Sequence, residues 1–360
     1  MKCPRAGLAV CMLLALAACG NHPAPLTQQE KQTVNELTTN LKTRCVGRYL
    51  VDMPEGMYVS GYAKVHGVDI ETKAMSGDAY QREIAKREAE LKAAKSALGY
   101  QFLYQDGEAW GKGTRYFVHL GSPSDPSDTT RVIEAYKWDR GYRIKLKVTA
   151  WDYDHSVFKE EPSVKQMPIK NNVRERTALV FELLEKVRGR ADDEIPAEPG
   201  LCFYGGFVPI KAGSEEEVST LYTLNGQDDI NFAFETTPDF RDSITLLQHA
   251  DSLEARAALK AMDAKVIRKG TVELPGMKAE EWLFEGLKPG DGRGDTFSLK
   301  ANEITSSPSS PFLSLDLTTG GQVQIQDQYV KLDKASLTTG EAVALWDAVS
   351  RTLRPRPNGF

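Results

Sequence analysis

The densest group of proton-transferring side chains in the sequence is Trp151-Asp152-Tyr153-Asp154-His155. On a strand Asp152 and Asp154 share a face, because side chains repeat every second residue. A carboxylate pair beside an imidazole is equipment for general acid–base catalysis. The same run also reads as the solvated end of a buried strand. Other reactive chemistry is sparse. There is no Gly-x-Ser-x-Gly turn to expose an esterase nucleophile. Gly107-Glu-Ala-Trp-Gly111-Lys112-Gly113 has one residue too few between glycines for a phosphate loop and lacks the Ser or Thr after the lysine. Histidines 22, 66, 119, 155 and 249 have no paired zinc-ligand spacing. Asp291-Gly-Arg-Gly-Asp295 has too few spaced oxygens for an EF-hand-type loop and reads as a glycine-rich hairpin turn. No cofactor or metal is expected.

A second kind of chemistry is electrostatic. Glu215-Glu216-Glu217 and Asp228-Asp229 form two acidic knots in the second half of the chain. Such a patch speeds docking to a basic partner, although most charge runs are only solvated faces. Tyr104, Trp110 and Tyr222 fall near expected turns, where an aromatic can serve as an interface anchor. The other aromatics sit in β-like runs and belong to cores.

The 360 residues suit two domains, and 41% apolar with 26% charged residues excludes a wholly disordered chain. The formal charge is −5, from 45 basic and 50 acidic residues. That balance gives no clustered basic face for nucleic acid. The N-terminus carries Lys2 and Arg5, then an apolar run from Ala6 to Ala18. This is a secretory signal over 1–18, too short to span a bilayer. Leu16-Ala17-Ala18-Cys19 resembles the bacterial lipobox, which implies lipidation at Cys19. Gly20, rather than Asp, follows, so the expected address is the periplasmic face of the outer membrane. Residues 19–27 then form a lipidated tether. Cys45 and Cys202 remain as one even pair in an oxidising space and are expected to bridge, the alternative being two separate buried thiols.

These residues sit on a plan used twice. Cys45-Val-Gly-Arg-Tyr-Leu-Val-Asp-Met-Pro54 and Cys202-Phe-Tyr-Gly-Gly-Phe-Val-Pro209 are short β-rich runs closed by proline. Each precedes an alternating stretch, with Val68, Ile70 and Thr72 in phase in one, and Ile230, Phe232 and Phe234 in the other. Helices follow, over Asp78–Leu98 with Tyr80, Ile84, Leu91 and Leu98 on one stripe, and over Ser252–Met262. Strands are expected at Thr114–Leu120, Arg131–Trp138 and Tyr142–Trp151, and again at Ala264–Leu274, Ala279–Glu285, Asp295–Ile304 and Phe312–Asp316. Helices over Val173–Arg188 and Glu341–Leu353 close the halves, each with a basic last turn suited to the helix dipole. Gly189–Gly200 (GRADDEIPAEPG) lacks periodicity and is the expected linker. The expectation is an α+β protein of two similar domains, 28–189 and 201–360, joined by 190–200. Each domain is an antiparallel β-sheet with helices packed on one face.

The lipobox, the Cys45–Pro54 run, the long Glu/Lys/Arg-rich helix and Pro199-Gly200-Leu-Cys202-Phe-Tyr-Gly-Gly-Phe207 together resemble one family. It is the immunity lipoproteins that protect Gram-negative bacteria from type VI secretion lipase effectors, in the fourth Tle/Tli subgroup. The resemblance spans nearly the whole mature chain. It implies a monomer that forms a heterodimer with a cognate periplasmic lipase effector. A two-domain clamp blocking substrate entry or lid opening would neutralise that effector without catalysis. The shared motifs are structural, so no effector-binding residue carries over. Two other functions fit the residues alone: an envelope enzyme using Asp152, Asp154 and His155, and a structural envelope lipoprotein.

Overall fold

The computed structural model describes residues 25–109, 111–290, 292–325 and 328–360. The expected signal (1–18), Cys19 and most of the tether lie outside these residues, as do Trp110 and Asp291. The first half runs α1 (Gln28–Thr38), β1 (Lys42–Val46), β2 (Tyr49–Met53), β3 (Met57–Val65), β4 (Val68–Ala74) and α2 (Gly77–Ala93). It continues with β5 (Leu103–Gly107), β6 (Arg115–His119), β7 (Thr130–Asp139), β8 (Tyr142–Trp151), α3 (Pro162–Lys165), α4 (Val173–Lys186) and β9 (Arg188–Gly189).

The second half runs β10 (Leu201–Phe203), β11 (Gly206–Val208), β12 (Glu216–Leu224), β13 (Asn231–Thr237), α5 (Leu246–Ala250) and α6 (Leu253–Ala261). Next come β14 (Lys265–Leu274), β15 (Met277–Leu287), β16 (Arg293–Ala301) and β17 (Phe312–Thr318). A ribbon of β18 (Gln322–Ile325) and β19 (Gln328–Lys331), then α7 (Thr339–Ser350) and β20 (Arg354–Pro355), complete the chain.

Twelve strands form one antiparallel sheet in the order β14-β15-β16-β17-β13-β12-β3-β4-β8-β7-β6-β5. Outward from its middle, β3-β4-β8-β7-β6-β5 matches β12-β13-β17-β16-β15-β14. The two similar sheets are therefore present, and they meet edge to edge. β12 pairs with β3 from Glu216 opposite Val65 to Leu224 opposite Met57. Gly61 lies in this seam because a Cβ there would stand 2.3 Å from the Ser219 carbonyl oxygen.

The halves also exchange their closing strands. β9, after α4, pairs with β11 of the second half's hairpin, and β20, after α7, pairs with β2 of the first half's. The basic endings belong to this exchange. α4 stops at Lys186 and α7 at Ser350, so Arg188 and Arg354 sit on the exchanged strands, beyond the last helical turns. Arg190 and Arg356 follow as buried guanidiniums that donate to carbonyls. Arg190 reaches the oxygens of Cys45, Phe203 and Gly206, and Arg356 those of Pro196, Glu198 and Gly200. Segment 190–200 is thus strapped to both halves.

Further links cross between the halves, among them a disulfide and a buried ion pair. Cys45 and Cys202 are bonded, with Cα atoms 5.7 Å apart. Arg48 and Glu216 form a buried ion pair at 2.6 Å.

Helices cover parts of both sheet faces, where one face was expected. α4 and α7 pack Val180, Leu183, Leu184, Leu345 and Trp346 into the main core with Leu146, Phe232 and Leu315. On the opposite face α2 lays Tyr80, Ile84 and Leu91 against Phe117 and Tyr136. There α5 and α6 cover Trp282. Ser76 caps α2, but the helix ends at Ala93, where Ala94 turns extended. Leu98 therefore leaves the expected stripe and is 59% exposed.

Candidate functional site

The Asp152 cluster closes a turn. Strand β8 ends at Trp151, and Asp152 points inward while Asp154 and His155 are solvent-exposed. The two aspartates therefore do not share a face. Asp152 Oδ1 lies 2.8 Å from His155 Nδ1 and accepts from Asn171 Nδ2 at 2.8 Å and from the His155 backbone N–H. Its other oxygen lies 3.4 Å from Arg131, whose guanidinium stacks 3.6 Å above Tyr104. Tyr104 thus serves as a platform for a buried arginine. These groups line a cleft of about 850 Å³ between α4 and the loops before β5 and after β8. Asp152 spends its lone pairs holding the chain's exit from β8, a structural task.

The acidic knots divide in the same way. Glu216 is buried against Arg48, with Nε–Oε2 at 3.0 Å. Asp229 is buried and accepts from the Gly320 and Ser336 backbone N–H groups. Neither can offer a carboxylate to a partner, so the expected patch shrinks to its alternate members. Glu215 is exposed beside His66, and Glu217 accepts from the Tyr62 hydroxyl at 2.6 Å. Asp228 is exposed. Period-two alternation on β12 sends Glu216 inward and Glu217 outward, while Asp228 and Asp229 divide in the turn after the strand. Tyr222, on the inward phase, is 1% exposed and belongs to the core. Asp295 is also inside, on β16, where it accepts from Thr319 Oγ1, so the hairpin turn ends before it. Among the described residues no group of three His, Cys, Asp or Glu side chains is placed to hold a metal.

The feature missed from sequence is the outward face at the seam. Along β3, Met57, Val59, Ala63 and Val65 face the main core. The alternate residues Tyr58, Ser60 and Tyr62 face solvent, and Tyr58 is 62% exposed. On β12 the corresponding set is Glu217, Ser219, Leu221 and Thr223, with Leu221 40% exposed. Helix α2 flanks this strip on one side and α5–α6 flank it on the other, so the middle of the sheet is the floor of a trough. Its floor bears the carboxylates of Glu217 and Glu235, with Lys64 3.9 Å from Glu217. Burial and the neighbouring Glu217 and Asp316 carboxylates push Glu235 up. The hydrogen bond to Glu217, then burial, pushes the Tyr62 hydroxyl up to about 12. The alternation read at Val68, Ile70 and Thr72 falls on β4, and the open face of β3 became visible only once β3 and β12 were known to be neighbours.

A duplicated antiparallel scaffold with an open trough bearing aromatic and acidic side chains is a macromolecule-binding architecture. Two family models match the chain: the Tle cognate immunity protein 4 N-terminal domain over residues 42–190 and the C-terminal domain over 194–358. The chain belongs to this family and is an immunity protein, not an enzyme. A comparison with curated proteins finds no match.

Among solved structures, the fold is similar to that of the apo immunity protein TplEi of the type VI secretion system of Pseudomonas aeruginosa. That pair shares 20% identity with a TM-score of 0.65, covering 89% of this chain and 98% of the other. It is also similar to a chain of the Tle4–Tli4 complex, at 20% identity and a TM-score of 0.67, covering 89% and 99%. A further similar structure is TplEi of P. aeruginosa complexed with an "L" peptide, at 19% identity and a TM-score of 0.62, covering 89% and 99%.

Proposed function

We propose that this protein binds and neutralises a cognate type VI secretion lipase effector in the periplasm, gripping it in the trough across the seam. The carrying observation is the open floor, with its aromatic and carboxylate side chains, between two helix-flanked walls. Tyr58, Tyr62 and Leu221 supply apolar anchors, and Glu217 and Glu235 supply charge for a basic effector surface. The grip is pre-organised: the β3–β12 ladder, the disulfide, the Arg48–Glu216 pair and the strapped 190–200 segment oppose splaying of the halves. A rigid jaw loses little conformational entropy on binding. Engaging both walls can bury more than the usual roughly 1,600 Å² of an interface. Held this way, the effector loses substrate access or the lid motion that an interfacial lipase needs.

The leader, the lipobox and Gly20 support a lipid on Cys19 and an outer-membrane address facing the periplasm, where such an effector acts. The protein works there as a monomer in one-to-one partnership with its target.

Co-expression with a periplasm-directed cognate lipase tests the reading by survival and by recovery of the complex. Wild type protects. Leu221→Asp and Tyr62→Ala keep the fold by circular dichroism and weaken binding by roughly thirtyfold each, the usual cost of losing a central anchor. A lipase that is never captured, or trough variants that protect fully, would overturn it.

A further inference from the structure

Among the described residues the β18–β19 ribbon pairs only with itself, outside the twelve-stranded sheet. All four residues of β19 are exposed, with Tyr329 at 69% and Val330 at 42%. An isolated two-stranded hairpin is marginal alone, so its base must be held. Asp229 holds it: one carboxylate oxygen accepts from the backbone N–H of Gly320, before the ribbon, and of Ser336, after it, at 3.0 and 2.9 Å. The Leu332 N–H closes onto the Gly321 carbonyl.

That base lies beside the start of the described chain. Ser336 stands two residues before Thr338, the N-cap of α7. Thr338 Oγ1 donates to Glu30 in the first turn of α1 at 2.8 Å. The Leu26 side chain lies against Gly340. Leu26 is seven positions beyond Cys19, and that length spans at most about 25 Å when fully extended. A lipid on Cys19 therefore holds this corner of the molecule, with its ribbon, close to the bilayer.

We infer that the β18–β19 ribbon is a second membrane contact, seating Tyr329, Val330 and Lys331 in the interface of the leaflet that takes the lipid. This rests on the lipidation of Cys19 proposed above. The side chains suit the place. A tyrosine ring sits at headgroup level, and a lysine buries its stem while its ammonium meets anionic lipid. Lys331 and Lys334 balance Asp327 and Asp333, so this stretch is neutral on a globally anionic protein. Two points of attachment fix the orientation of the body on the membrane, which one flexible tether cannot do.

The test uses the full mature lipoprotein reconstituted in phosphatidylethanolamine–phosphatidylglycerol vesicles. A polarity-sensitive fluorophore is placed on Gln324→Cys, cross-strand from Tyr329, or on Lys112→Cys, in the first half before β6. Lipid-borne quenchers are expected to reduce emission at 324 several-fold more than at 112. The triple variant Tyr329→Ser, Val330→Ser, Lys331→Gln should bring 324 down to the level of 112 while the protein still floats with the vesicles. Floating protein with equal quenching at both positions overturns the ribbon contact and leaves the anchor standing. Unchanged quenching in the triple variant also overturns the contact. Protein that does not float overturns anchor and ribbon together.

Discussion

Arg48 and Glu216 join the two halves by a buried two-point ion pair, Nε to Oε2 at 3.0 Å and Nη2 to Oε1 at 2.6 Å. Arg48 also donates to the carbonyls of Gly359 and Ile210, which ties the C-terminus and the β11–β12 connection to the same guanidinium. Removing one partner of such a pair leaves a charge buried without compensation, at a cost of about 3–5 kcal/mol. Glu216→Ala is expected to lose that much in urea unfolding. Glu215→Ala, one position away on the solvent side, should stay within about 0.5 kcal/mol of wild type. Equal losses at the two positions would mean that the ion pair contributes nothing special.

The Cys45–Cys202 bridge occupies matching places in the two halves, each cysteine on the first strand of its hairpin. It closes a loop with a sequence separation of 157. On the chain-entropy model that constraint contributes about 4–5 kcal/mol by restricting the unfolded chain. Cys45→Ala/Cys202→Ala should lower the urea midpoint while unfolding remains one transition, because the β3–β12 ladder still couples the halves. Two separated transitions would show that the seam alone does not make the halves cooperative.

Periodicity carried much of the fold. Strand β8 runs Tyr142–Trp151 as alternation predicts, and Arg140 and Gly141 take positive φ values in the tight turn from β7. Helix α6 lies just inside its expected bounds, capped by Ser252. The doubled plan was visible because Cys45 and Cys202 open similar runs. Local pattern cannot report long-range pairing, so the fusion of the two sheets and the exchange of β9 and β20 were not legible. Nor was α1, which is mostly polar with none of its residues buried; beside Val34 and Leu37 its signal is the Thr27/Glu30 capping box. For the candidate site, the acidic run pointed to Glu216 and Glu217, which lie on β12. Which carboxylates face outward depended on the phase of a strand whose neighbour was unknown.

The two aspartates once paired by spacing should separate in experiment. Asp154 is exposed, and Asp154→Ala is expected to leave stability within about 0.5 kcal/mol and protection against the effector unchanged. Asp152→Ala removes the acceptor for His155 and Asn171 and leaves Arg131 without its carboxylate, so the thermal midpoint should fall. Differential scanning fluorimetry on both variants checks this. Loss of protection on Asp154→Ala with the fold intact would revive a direct role for that residue.

Glu134 sets an acid limit on the first half. It lies on β7 beneath α2, with Arg87 Nε at 3.0 Å, the Tyr136 hydroxyl at 2.8 Å and Lys145 at 3.4 Å. Burial by itself pushes this carboxyl up, but hydrogen bonds with His119, Arg87 and Tyr136, together with the Lys145 charge, outweigh it and hold the group well below the ordinary carboxylate range. The unfolded chain takes up a proton at the ordinary value while the folded protein does not. This stability is therefore present above the ordinary carboxylate pKa and is lost as pH falls below it. Glu134→Gln should be less stable than wild type near neutral pH, and the gap should narrow steadily on acidification from about pH 5 to about pH 3. Urea unfolding of both proteins across that range gives the two curves. If they run parallel, the α2 contact does not depend on the charge of Glu134.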